Sequence, residues 1–182
     1  MNETTRQAGE VLDRDTMIDK LNDLIELDFD AVKAYEKAIE HIDDDEVRDD
    51  LELFKLDHER HIRDLTDLVM DLGGTPKTKG DVKGVLLEGM TALRSVTGTM
   101  GALRAMRMNE KHTNRVYAKA AELAWAPIVR ELVDRNLLDE RRHLIAITAH
   151  IERLSEDQER DEEIEDELEA EERPDRPGAP VV

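Results

Sequence analysis

Glu140 and His143 stand three residues apart in the segment "LLDERRHLIA", a spacing that puts both on one face of a helix. The apolar residues around them turn that face inward, and a lone buried carboxylate costs several kcal/mol. Four more ionisable residues sit in corresponding places: Asp28, His58, His61 and Glu110. Sliding the sequence against itself by 82 residues aligns them without a gap, Asp28 on Glu110, His58 on Glu140 and His61 on His143, with Tyr35 on Tyr117. Around them Leu21 meets Leu103, Lys37 meets Lys119, Ala38 meets Ala120, Glu40 meets Glu122 and Val47 meets Val129, and "LDHERHI" lies on "LDERRHL". A single Glu-x-x-His arises by chance on many helices. A duplicated segment whose inward polar positions coincide is far more specific.

Carboxylate oxygens and imidazole nitrogens are metal donors. The chain has no cysteine, so a thiolate site is excluded, and the donor set suits iron or manganese, with zinc as an alternative. Two divalent cations bring four positive charges to the three carboxylates Asp28, Glu110 and Glu140, which makes their burial tolerable.

These residues need long helices to carry them. The spacing predicts a first helix from about Thr16 to Ile42, with Ile18, Leu21, Ile25, Asp28, Val32, Tyr35, Ile39 and Ile42 alternately three and four apart. The acidic turn "DDDE" leads into a second helix whose stripe is Leu51, Phe54, His58, His61, Leu65, Leu68 and Leu72, ended by "GGTPKTKG". A short helix opened by Asp81, weakened by Gly84, Gly89 and Gly98, belongs to a crossover. A third long helix from about Ala102 aligns Leu103, Met106, Glu110, Thr113, Tyr117, Ala120 and Ala124. Pro127 suits the first turn of a fourth, whose stripe is Val129, Val133, Asn136, Glu140, His143, Ile147, His150 and Leu154. His150 reads as a helix-end residue and not as a ligand.

The expected fold is all-α: two repeated antiparallel hairpins, joined by one long crossover, packed as a four-helix bundle with their polar groups converging. Residues 1–15 are expected to be a flexible N-terminus, 16–154 the bundle, and 155–182 an acidic tail, frayed helix or disordered, too charged to pack.

Composition agrees and narrows the function. Aromatic residues make up 3% of the chain, too few for a typical sheet protein. A formal net charge of -19 repels phosphates, which excludes nucleic acid and anionic membranes as partners and favours cations. Arginine supplies 17 of the 26 basic residues; with the crowd of acidic ones this points to a halophilic source. No leader-like or bilayer-length apolar stretch occurs, so a cytoplasmic location is expected.

Residues 16–154 resemble the ferritin-like di-iron and di-manganese carboxylate proteins, most closely the small, poorly characterised ferritin-like bundle proteins of bacteria and archaea. That family takes one Glu from each of two helices and a Glu-x-x-His from each of the other two. Glu110 with Glu140-x-x-His143 matches in full; Asp28 replaces the other lone Glu, and His58-x-x-His61 replaces the other Glu-x-x-His. The carboxylate followed seven residues later by Tyr, at Asp28 and Tyr35 and at Glu110 and Tyr117, is also similar. The resemblance implies that Asp28 and Glu110 are terminal ligands, that His61 and His143 each bind one ion, and that Glu140 bridges the two. Tyr35 and Tyr117 would orient carboxylates or carry electrons. His58 departs from the pattern, since a neutral imidazole cannot bridge two ions as a carboxylate does.

The expected function is a dinuclear iron or manganese centre that oxidises Fe(II) or reduces oxygen or peroxide, in iron handling or oxidative stress. The alternative is a metal-sequestering or structural stress protein without turnover. A homodimer or small homo-oligomer is expected in place of a storage cage, because no further well-formed helix follows residue 154.

Overall fold

A computed structural model of the chain describes residues 11–80 and 98–172. Its elements are four long helices, α1 (Arg14–Ile39), α2 (Asp45–Asp71), α3 (Gly98–Ala121) and α4 (Pro127–Glu172), and the described residues contain no strand. The short helix expected from Asp81 lies outside the described residues.

Local chemistry sets the ends. The Asp13 carboxylate accepts the Thr16 backbone N–H at 2.9 Å, so α1 starts two residues before the expected Thr16. Asp44 does the same for Val47 at 3.0 Å and opens α2, with Asp45 and Glu46 in the positive first turn. At the other end of α2 the chain turns through Gly73 at φ +76°, where Gly73 and Gly74 donate to the carbonyls of Met70 and Val69. α4 begins at Pro127, as the sequence predicts.

α1 pairs with α2 and α3 with α4; α1 also packs on α3, and α2 on α4. Backbone contacts fix the directions. Leu12 N–H binds the Ala124 carbonyl at one end, and Asp43 N–H binds Thr99 Oγ1 at the other, so α1 and α3 are antiparallel. Arg153 pairs with Asp44, so the bundled part of α4 ends where α2 begins. The connection from α2 to α3 must therefore travel the length of the bundle. Its first residues climb along α1, where the Asn22 side chain binds the Thr75 carbonyl and the Lys77 N–H.

The apolar interior divides into two clusters. One gathers Tyr35, Leu51, Phe54, Leu103, Met106 and Ile147, the other Leu21, Ile25, Leu65, Tyr117, Val129 and Val133. On every helix the ionisable residues of the stripe fall between members of the two clusters. The polar groups thus form one layer with a dry core above and below.

α4 continues as helix well past Leu154. From Gln158 to Glu165 its side chains are all exposed. Glutamate is a good helix former, Arg160 pairs with Asp157, and no breaker occurs before Pro174, so the helix extends to Glu172. No helix among the described residues is long and apolar enough to cross a membrane.

Candidate metal centre

The stripe positions of all four helices meet at mid-bundle. Asp28, His58, His61, Glu110, Glu140 and His143 are each completely buried. Their donor atoms fall into two overlapping groups, each within 4.8 Å: Asp28, His58, His61 and Glu140 form one, and His58, Glu110, Glu140 and His143 the other. All six sequence-predicted residues are thus brought together, with Glu140 and His58 common to both halves. His150 lies elsewhere, paired with Asp50 at 2.8 Å.

The tyrosines cross between the repeats. Tyr35 donates to Glu110 Oε1 at 2.6 Å, and Tyr117 donates to Asp28 Oδ2 at 2.6 Å. Each hydroxyl serves the carboxylate of the opposite hairpin, which fixes that carboxylate's orientation. Burial and the charge of Glu110 push the Tyr35 phenol up; burial and the charge of Asp28 do the same for Tyr117. Both remain neutral donors.

A second pair of residues escaped the sequence reading. His61 Nε2 donates to Asp139 Oδ2 at 3.2 Å, and His143 Nε2 donates to Asp57 Oδ2 at 3.1 Å. With the Nε2–H so held, Nδ1 of each ring faces the centre. Arg60 reaches both Asp57 and Asp139, and so does Arg142. Burial alone would raise the two aspartates. The His143 hydrogen bond and Arg60 charge hold Asp57 down instead, and the His61 hydrogen bond and Arg60 charge hold Asp139 down. The signal was available: Asp57 aligns with Asp139 and Arg60 with Arg142 at the same offset of 82, inside "LDHERHI" and "LDERRHL".

The inner groups titrate against one another. Burial pushes the His58 imidazole down, but the charge of Glu140, the hydrogen bond to Asp28 and the nearby Glu110 carboxylate lift it well above its usual range. Burial opposes protonation of His61 too, yet the hydrogen bond to Asp139 and the Asp28 and Glu140 carboxylates, each 3.5 Å from Nδ1, raise it to about 10. Asp28 is lowered, because the hydrogen bond from His58 and the nearby His61 imidazole outweigh its desolvation.

Whether these residues fit metal ions is decided by what they leave unpaired. Both Glu140 oxygens, His61 Nδ1, His143 Nδ1 and His58 Nε2 have no hydrogen-bond partner among the described residues. Orphaned polar atoms in a core are rare and costly. Here five converge from two helices, all are metal donors, and three lie on rings or carboxylates whose outer atoms are firmly held or flanked by held neighbours. The cluster fits a dinuclear site.

A pseudo-symmetric bundle of two antiparallel hairpins is the ferritin-like fold class. Solved structures agree. A two-domain protein from Anabaena variabilis with DJ-1/ThiJ/PfpI-like and ferritin-like domains superposes with a TM-score of 0.64 at 13% identity, covering 100% of this chain. The chain spans 47% of that protein's length. A ferritin-like diiron-carboxylate protein from Bacillus anthracis gives a TM-score of 0.60 at 21% identity, covering 78% of this chain and 99% of that one. At such identities the likeness speaks for the fold. Within that class, the chain belongs to the family described as a domain of unknown function (DUF2383), whose pattern matches residues 16–123. Among curated proteins, nothing matches the sequence.

Proposed function

We propose that the protein holds two iron or manganese ions among Asp28, His58, His61, Glu110, Glu140 and His143 and serves Fe(II) oxidation or the reduction of oxygen or peroxide. The observation that carries this reading is the convergence of unpaired, fully buried donors, above all Glu140 with both oxygens free. The diiron-carboxylate description of the Bacillus anthracis relative supports it.

Bound ions would supply open coordination positions at which an oxidant is activated. The chain's own residues do the rest. Asp57 and Asp139 hold the outer protons of His143 and His61, so that lone pairs face inward. Tyr35 and Tyr117 hold Glu110 and Asp28 in orientation. The apolar clusters on either side exclude bulk water. Residues 16–154 are the working unit, 155–182 an acidic appendage suited to high salt. A cytoplasmic role in iron handling or oxidative stress, as a homodimer or small oligomer, completes the reading.

The test is Glu140→Ala. Metal content, ferroxidase activity and peroxide consumption should fall together; full activity in this variant refutes the assignment. His58, in place of a bridging carboxylate, favours a second reading: a metal-sequestering protein without turnover. Steady-state peroxide consumption by the metal-loaded protein excludes it.

A further inference from the structure

The two halves of the centre do not offer the same donors. His61 donates its outer N–H to Asp139 and His143 donates its outer N–H to Asp57. His58 repeats the arrangement with the ring turned over: Nδ1 donates to Asp28 Oδ1 at 2.8 Å, and Nε2 is the unpaired nitrogen. In all three rings one nitrogen is tied to an aspartate and the other is free. Asp28 therefore stands to His58 as Asp139 stands to His61. Both its oxygens are engaged, Oδ1 by His58 and Oδ2 by Tyr117.

We infer that Asp28 is the positioning carboxylate of His58, and that a first divalent cation is held by Glu110, Glu140, His143 and His58 Nε2, the His61 half being the weaker. This rests on the metal-binding reading above. If Nε2 is the ligand, the bond from Nδ1–H to Asp28 stays intact and a buried orphan acquires a partner. If Nδ1 were the ligand, that bond would break, and an Nε2–H would be left facing Glu110 Oε1 at 3.7 Å, beyond hydrogen-bond range. Glu110 is less encumbered than Asp28. Its Oε1 accepts from Tyr35, while Oε2 receives only a long 3.4 Å approach from Thr113 Oγ1, whose shorter bond, 3.1 Å, goes to the Glu110 carbonyl. The Glu110 half thus commands two imidazoles and two carboxylates. The other half keeps His61, a share of Glu140 and an Asp28 already in use.

The ring nitrogens supply the test. The intact protein, labelled with 15N at histidine, is given one equivalent of Zn(II), and long-range 1H–15N spectra identify which nitrogen of each ring is coordinated. The expected result is one ring bound through Nε2 with its Nδ1 protonated, His58, and one bound through Nδ1, His143. Two rings both bound through Nδ1 would place the first ion in the Asp28 half and overturn the inference, leaving metal binding itself in place. Mn(II) titration followed by the free-ion EPR signal gives an independent readout. The tight class should survive His61→Gln within about tenfold, and weaken by about a hundredfold in His58→Gln and His143→Gln. The reverse order overturns it. A folded wild-type chain that binds neither Zn(II), Mn(II) nor Fe(II) brings down the function proposed above as well.

Discussion

Cation binding should expel protons from this centre at neutral pH, by an amount the geometry fixes. Burial alone favours neutral imidazoles, but Glu140, Asp28 and Glu110 around His58, and Asp139, Asp28 and Glu140 around His61, reverse that preference. In the chelator-treated protein both rings are therefore imidazolium at pH 7, and an incoming cation must displace a proton to reach a ring nitrogen. For His61, raised to about 10, the distance from pH 7 is 10 − 7 = 3 units, or about 4 kcal/mol at roughly 1.36 kcal/mol per unit. Affinity at that ring is lowered about a thousandfold at pH 7 and rises about tenfold per pH unit as the pH climbs toward 10. Folding stability runs the other way. A pKa raised in the folded state contributes stability that is complete below the unfolded value of about 6.5 and is lost as pH rises through the folded value. The chelator-treated protein should thus weaken between neutral pH and pH 10, and the loaded protein should not.

Calorimetric titration with Mn(II) at pH 7 in PIPES and in Tris, which differ in ionisation enthalpy, counts the protons. The expected release is at least one for the ion that takes His58 and one for the ion that takes His61. An apparent enthalpy independent of buffer, with an affinity flat between pH 6.5 and 8.5, would refute the charge balance read from these side chains.

Three other outcomes follow from the same geometry. Tyr117→Phe removes a donor to a fully buried carboxylate and should cost about 2 kcal/mol in urea unfolding of the chelator-treated protein; Tyr35→Phe should cost less, because Asn136 Nδ2 also approaches the Tyr117 hydroxyl at 3.5 Å while Tyr35 has Phe54 beside it. Equal losses would contradict this. Asp139→Asn should weaken cation binding at His61 and Asp57→Asn at His143, each by about ten- to a hundredfold, measured by Mn(II) titration; an unchanged isotherm in both removes their positioning role. Deleting residues 158–182 should shift unfolding stability by no more than about 0.5 kcal/mol, since the side chains from Gln158 to Glu165 are all exposed, and a larger loss in a urea titration would reveal a contact for this stretch.

The sequence carried the inner layer almost completely and the outer layer hardly at all, for a physical reason. Asp28, His58, His61, Glu110, Glu140 and His143 lie on the inward stripe of their helices, so apolar periodicity alone assigns them to the core, and the offset of 82 pairs them. Asp57 and Asp139 precede stripe positions by one residue. Periodicity turns such residues toward solvent, yet the approach of α2 to α4 brings each onto a histidine of the opposite hairpin. Only the repeat marked them. The orientation of the His58 ring was beyond any spacing argument, because it depends on Asp28, 30 residues away on another helix. The continuation of α4 to Glu172 was ambiguous for a different reason: acidic composition forbids packing but not helix.

The broken symmetry lies in the inner residues, and this bears on function. At the offset of 82 the outer residues match in pairs, Asp57 with Asp139, Arg60 with Arg142, His61 with His143, and they make matching contacts. Among the inward positions that do not match, Phe54 aligns with Asn136, His58 with Glu140 and Asp28 with Glu110. Phe54 stacks on His143 at 4.4 Å, whereas Asn136 approaches the hydroxyl of Tyr117. The frame is therefore that of two equal halves, and the inequality comes from the inner side chains presented to it. One hairpin contributes imidazoles, the other the single carboxylate free on both oxygens. On the proposed metal-binding reading, this difference separates a first cation, held tightly, from a second that enters and leaves.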